Sequence, residues 1–150
     1  MIEGVKIKEL VTFADDRGFF REVFREDDGM GSIAQTAMTL TFPGVIKAFH
    51  YHKLQTDIWY VALGQARVVL HDLRDDSPTK GETQVIVCGQ HQPLLIAIPP
   101  MVCHGYQVLG ADPIILVYHT SLTYNVKQPD EYRIPFDDPK IGFDWAVKNR

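Results

Sequence analysis

GVIKAFHYHKLQTDIWYVALG, residues 44–64, holds two β-rich runs around a short polar turn. Val45 to His52 reads as one strand and Ile58 to Leu63 as the returning one. Residues two apart on a strand point to the same face, so His50 and His52 project together. Asp57 sits at the start of the returning run and can bring a carboxylate to that face. Downstream, Pro99 to His104 reads PPMVCH and supplies His104 from another strand pair. Three imidazoles and one carboxylate suit a first-row metal such as zinc, iron, nickel or manganese. Without a metal, the same histidines would line a β-barrel and be satisfied by their neighbours.

Outward from this stretch the pattern stays β. Thr36 to Phe42 alternates ahead of the turn at Pro43-Gly44. Gly64-Gln65 reads as a tight hairpin leading into Ala66 to Leu73, and Arg74 to Gly81 as a polar loop. Thr83 to Cys88, Leu94 to Pro99, Tyr106 to Leu109 and Ile114 to Thr120 continue the series of short strands. That spacing predicts a sandwich or barrel. Gly18 to Asp28 fits a short helix or a strand. Alternation puts one of Trp59 and Tyr60 inside the barrel and the other outside, and turns His71 and His119 outward. The stretch from Val126 is loop-like, but Trp145 is expected to dock on the core. Cys103 reads as a buried thiol beside His104.

The chain has 150 residues, one domain's worth, with 45% hydrophobic and 23% charged residues. Its net charge of −4 and lack of a basic block argue against nucleic acid. The longest apolar run, Gln92 to Cys103, is proline-broken and too short to span a membrane. The first residues, MIEGVKIKEL, lack the apolar core of a signal peptide. Two cysteines make no disulfide framework. These features predict a cytoplasmic protein with free thiols.

Two resemblances follow from the motifs. Gly44, His50, His52 and Gly64 match the first signature of the cupin superfamily, with Asp57 where that family usually has Glu. Pro99 and His104 match the second signature, with Met101 in place of a Gly. Over most of its length the chain also resembles the dTDP-4-dehydrorhamnose 3,5-epimerase branch of the cupins. The matching runs are DRGFFREVF (16–24), GVIKAFHY (44–51), DLRDDSPTKG (72–81), PPMVCHGY (99–106), Val117 to Thr120 with Tyr124, and FDDPKIGFDW (136–145).

The resemblance implies an all-β fold, a single cupin-type jelly-roll barrel of two antiparallel sheets. It implies an isomerase that epimerises C3, C5 or both of a nucleotide-linked 4-keto-6-deoxysugar through an enolate, with no cofactor required. His50 would be the base, Asp138 its orienting carboxylate and Tyr118 the acid. Arg17, Phe20, Glu22, Lys47, His104 and Tyr124 would hold the substrate. A homodimer is implied, with segment 1–30 exchanged or packed at its interface.

Three positions depart from the epimerase pattern. Lys47 stands for an Arg, His52 for a Gln, and Asp57 for a Lys held to stabilise the enolate. The last two changes are those that complete a cupin metal set of His50, His52, Asp57 and His104. A divalent metal would then replace the ammonium as electrophile. His50 could not be both ligand and base, and the base would fall to Tyr118 or a metal-bound hydroxide. The remaining alternatives are a metal-free enzyme using Lys47 or Lys53 as the cation, a metal-dependent cupin oxygenase, lyase or isomerase acting on another small molecule, and a non-catalytic sugar-nucleotide binding module.

Overall fold

The computed structural model describes residues 1–148. The strands are β1 (Lys6–Glu9), β2 (Thr12–Asp15), β3 (Gly18–Arg21), β4 (Gln35–Thr41), β5 (Ile46–Tyr51), β6 (Asp57–Leu63), β7 (Gln65–Asp72), β8 (Thr83–Gly89), β9 (Leu94–Ile98), β10 (Val102–Leu109), β11 (Ile114–Thr120) and β12 (Tyr132–Arg133). One five-stranded sheet has the order β1-β9-β6-β11-β4, and a second the order β12-β5-β10-β7-β8. β2 and β3 form a separate two-stranded hairpin. Every pairing is antiparallel. From β4 onward the chain changes sheet at nearly every connection, staying in one sheet only between β7 and β8. This is the expected all-β jelly roll. No helix of the described residues is long and apolar enough to cross a membrane.

Gly64-Gln65 is not the hairpin that the sequence suggested. β6 and β7 lie in different sheets, so the chain turns a corner there. Gly64 takes φ +73, and a Cβ on it would come within 2.5 Å of the Pro113 carbonyl oxygen. Only glycine tolerates that approach in that backbone conformation. Gly18–Asp28 resolves into β3 and a 3-10 turn at Glu26–Asp28. β10 begins at Val102, four residues before the expected Tyr106, because the Pro99-Pro100 turn closes at Met101. His104 therefore lies inside a strand.

Alternation sorts the side chains into layers. Trp59 and Val61 enter the inner core with Val68, Leu70, Ile96 and Leu116. Ile58 and Tyr60 face outward, beneath Leu10 and Met30 of the N-terminal segment. On the second sheet, Phe49, Val69 and Cys103 face outward beneath Trp145. Trp145 does dock, and its indole N–H donates to the Phe136 carbonyl at 2.9 Å. β9 is thus covered on both faces, by the inner core on one and by Leu10 and Met30 on the other, which is why it is buried throughout rather than alternating.

One irregularity positions the site. The β10–β5 register shifts between His104 and Tyr106. A Cβ on Gly105 would meet the Ala48 Cβ at 2.3 Å, so the strands close up only over a glycine. The shift sets Lys47 opposite Tyr106 and His50 opposite His104. Lys47 and His50 both face inward although they are three residues apart. The Lys47 ammonium donates to Thr39 Oγ1 of the other sheet at 3.0 Å.

Candidate active site

His50, His52, Asp57 and His104 converge as their spacing predicted. Each offers one ligand atom, and these atoms all lie within 4.8 Å of one another. They arrive from four places: the end of β5, the loop after it, the first residue of β6 and the middle of β10. Asp57 is the centre. Its Oδ1 lies 3.5 Å from His52 Nε2 and its Oδ2 lies 3.5 Å from His104 Nε2. The Gln55 amide donates to Oδ1 at 2.8 Å, and the Trp59 indole to Oδ2 at 3.1 Å. The His50 ring centroid lies 4.2 Å from that of His104, nearly edge-on.

The loop that carries His52 is pinned from outside. The Asp130 carboxylate accepts the backbone N–H groups of Lys53, Leu54 and Gln55, each at 2.9 Å. The Asp130 carbonyl accepts the His52 Nδ1–H. The His52 carbonyl accepts the Met101 N–H at 2.7 Å, which ties the loop to the turn before β10. Asp130 and Gln55 were not foreseen. Asp130 follows Pro129 in a polar stretch and reads as an ordinary loop acid, and the pairing spans 78 residues of sequence.

Electrostatics set the three imidazoles apart. Burial pushes His50 down to about 2, with His104 and His52 adding to the effect against the pull of Asp57. His50 is therefore neutral, with a free lone pair, near pH 7. Burial also disfavours a charged His52, but Asp57 more than offsets it and raises its pKa. Burial opposes ionisation of Asp57, yet His104 and His52 hold its carboxyl well below the usual range. His104 donates its Nδ1–H to the Val102 carbonyl at 2.9 Å, and its Nε2 is buried with no hydrogen-bond partner.

Tyr118 lies on β11 opposite Trp59 of β6 and packs, half-buried, against the inner core. It enters from the first sheet, whereas His50 and His104 enter from the second. Of the remaining expected residues, Lys47 stands on the inner face, while Tyr124 is exposed in the loop after β11. Arg17 caps the exposed β2–β3 hairpin and pairs with Asp15 at 2.5 Å. Phe20 is 64% exposed on that hairpin. Glu22 follows the hairpin, 3.7 Å from Arg25.

The His50–Asp138 pair implied by the resemblance is not formed. Asp138 belongs to the C-terminal segment that packs on the outer face of the second sheet, and it sits near Cys103. Its carboxylate accepts the Lys140 N–H at 2.8 Å. His50 points to the inner face, and its nearby carboxylate is Asp57. Within this chain β1 pairs with β9, and Leu10 and Met30 pack on the outer face of the first sheet. His71 and His119 face away from the inner core as expected, bonded to Thr83 Oγ1 and Thr36 Oγ1.

The spore coat polysaccharide biosynthesis protein SpsL of Bacillus subtilis is 51% identical to this chain, over the full length of both. A dTDP sugar isomerase from Desulfovibrio desulfuricans superposes with a TM-score of 0.90 at 29% identity, covering 99% of this chain and 94% of that one. An epimerase from Legionella pneumophila, solved in complex with dTDP-4-keto-L-rhamnose, superposes with a TM-score of 0.87 at 25% identity, covering 100% and 82%. The family model described as dTDP-4-dehydrorhamnose 3,5-epimerase matches residues 1–150. On this whole-length match, over a jelly roll with the family's shape, the chain belongs to the dTDP-4-dehydrorhamnose 3,5-epimerase family and is an isomerase.

Proposed function

We propose that the protein epimerises C3, C5 or both of a nucleotide-linked 4-keto-6-deoxysugar, with His50 as base and Tyr118 as acid. The observation that supports this best is an imidazole and a phenol entering one interior from opposite sheets. A 4-keto group makes its neighbouring C–H bonds acidic, because the electron pair delocalises onto oxygen. The free nitrogen of His50 takes the proton, the electron pair moves to the keto oxygen, and the Tyr118 hydroxyl returns a proton to the opposite face. Configuration inverts with no net redox change, and no resident cofactor is needed.

The enolate requires positive charge nearby. Lys47 on the inner face is the group suited to supply it. Asp57 compensates the imidazolium formed on His50, the part that the resemblance gave to Asp138. The dTDP-4-keto-L-rhamnose bound to the Legionella relative is a ligand of the assigned class. Arg17, Phe20, Glu22 and Tyr124 would hold the nucleotide. The hairpin exposes Phe13, Phe19 and Phe20, and β4 is an edge strand exposing Met38 and Leu40, with Phe42 exposed just beyond it. Such surfaces are ordinarily covered, which supports a homodimer. Two free, buried cysteines fit a reducing cytoplasm.

A second reading, a metal-dependent enzyme acting on another small molecule, is favoured by one observation, the convergence of His50, His52, Asp57 and His104. Proton exchange separates the two. Metal-stripped protein incubated in D2O with dTDP-4-keto-6-deoxyglucose should introduce deuterium at C3 or C5, read by NMR. No exchange with several such nucleotides overturns the epimerase reading.

A further inference from the structure

We infer that His50, His52, Asp57 and His104 form a four-donor site for a divalent transition metal, and that metal and proton transfer compete for His50. The site itself stands apart from the epimerase reading, and only the competition rests on it.

A carbonyl oxygen only accepts, so the contacts to Val102 and Asp130 fix the proton of His104 and of His52 on Nδ1. In the neutral rings, both Nε2 lone pairs then face Asp57, and that of His52 has beside it only a long 3.4 Å contact from the Gln55 amide. Two lone pairs aimed at a buried carboxylate repel unless a cation lies among them. One proton answers one of the two contacts. It leaves His104 Nε2 buried without a partner, in a residue only 1% exposed. A buried polar atom in that state is costly, and a metal ion supplies its missing partner.

Tetrahedral zinc with bonds of about 2.0–2.1 Å separates its donors by about 3.3–3.4 Å. The two Nε2-to-oxygen separations are 3.5 Å, long for hydrogen bonds and close to that edge. The outer contacts also suit a ligand set. Both imidazoles are backed on Nδ1 by carbonyls, and Gln55 and Trp59 each hold one oxygen of the carboxylate. Such partners orient metal ligands and fix their tautomers. Three neutral imidazoles and one carboxylate suit zinc, iron, nickel or manganese. The fourth donor is the lone pair of His50, the same pair that would accept the substrate proton.

The test uses tag-free protein stripped with a chelator and titrated with zinc and with cobalt(II), followed by calorimetry, elemental analysis and visible spectra. The expected result is one equivalent per chain, with the intense visible bands of four-coordinate cobalt. His52→Ala and Asp57→Asn should each weaken zinc by at least about 100-fold, and Gln55→Leu by about 10–100-fold. His119→Ala, outside the site, should bind as the parent does. Circular dichroism of each variant separates lost binding from lost fold, and Gln55→Leu, which alters no ligand, keeps the test valid if a ligand variant unfolds. Deuterium exchange should be present in the stripped protein and fall to background on zinc loading. No binding, or binding unchanged in folded His52→Ala and Asp57→Asn, overturns the site. Binding with undiminished exchange removes His50 from the ligand set and overturns the assignment. Absence of exchange in stripped protein that still binds zinc counts against the epimerase reading alone.

Discussion

Asp57 and Asp72 are both buried carboxylates, 3% and 1% exposed, yet their surroundings differ in kind. Asp72 is saturated. Arg74 gives it two guanidinium contacts at 2.8 Å and a backbone N–H at 3.0 Å, and Ser77 and Thr79 donate at 2.6 and 2.7 Å. A permanent cation and two hydroxyls take up its lone pairs, so nothing further can bind. Asp57 has two neutral N–H donors and two imidazoles held at 3.5 Å. Its charge is only partly answered, and it lies where a substrate or ion can complete it. A finished polar network makes structure, and an unfinished one makes chemistry.

The largest effects are expected at the site. His50→Gln should lower the rate of deuterium exchange by about 10²–10⁴-fold, the usual worth of a general base. Tyr118→Phe should keep first-proton exchange but lose inversion, because the acid on the opposite face is gone. NMR integration of the exchanged and inverted sugars separates the two. Neither variant should move the urea midpoint much, because each replacement keeps nearly the volume of the side chain it replaces. If His50→Gln exchanges at the parent rate, another group is the base.

At the Asp72 cluster the expected loss is in stability. Asp72→Asn leaves the Arg74 guanidinium without its counter-charge and should cost about 3 kcal/mol, the low end for a broken buried pair because Arg74 is partly solvated. Urea unfolding measures it, and the exchange rate of the folded variant should be unchanged. The pH dependence has a definite sign. Arg74 leads the groups that hold the Asp72 carboxyl well below its ordinary range. Its contribution is therefore full above the unfolded value of about 3.9 and is lost as pH falls toward the folded one. The stability gap between parent and Asp72→Asn should be widest above about pH 5 and narrow toward pH 2. A gap that stays constant across that range would show that the charge on Asp72 is not what stabilises the loop.

The sequence made most of the fold legible and the site partly so. β4 and β11 stand within a residue of their expected bounds, because alternation and turn residues act locally. The corner at Gly64 was hidden, since a tight hairpin and a change of sheet place the same glycine between two strands. What separates them is the contact with Pro113, forty-nine residues on. The ligand set was legible because spacing on two strands decides it. Its supports were not, because Asp130 acts through its backbone carbonyl, which carries no residue signature. The Asp138 pairing failed because a motif resemblance does not say on which side of a sheet a terminal segment runs.

The smallest expected effect lies at the joint between the two carboxylates. Met101 donates its N–H to the His52 carbonyl at 2.7 Å and accepts the Leu73 N–H at 3.0 Å, so it links the Asp57 loop to the strand end carrying Asp72. Its φ is positive, at 61°, although it is not a glycine, and it occupies the position where the cupin signature has glycine. A left-handed conformation costs a non-glycine residue about 1–2 kcal/mol. Comparing Met101→Gly with Met101→Ala cancels the loss of the methionine side chain, because both remove it. Glycine should be the more stable of the two by about 0.5–1 kcal/mol, the reverse of the usual order, since relief of strain exceeds the extra entropy of the unfolded glycine. Urea midpoints of the two variants measure the difference. Alanine equal to glycine would mean that the turn relaxes out of the left-handed region once methionine is gone. The two clusters would then be joined by a softer link than these hydrogen bonds imply, and Met101→Ala should also shift zinc affinity at the Asp57 cluster.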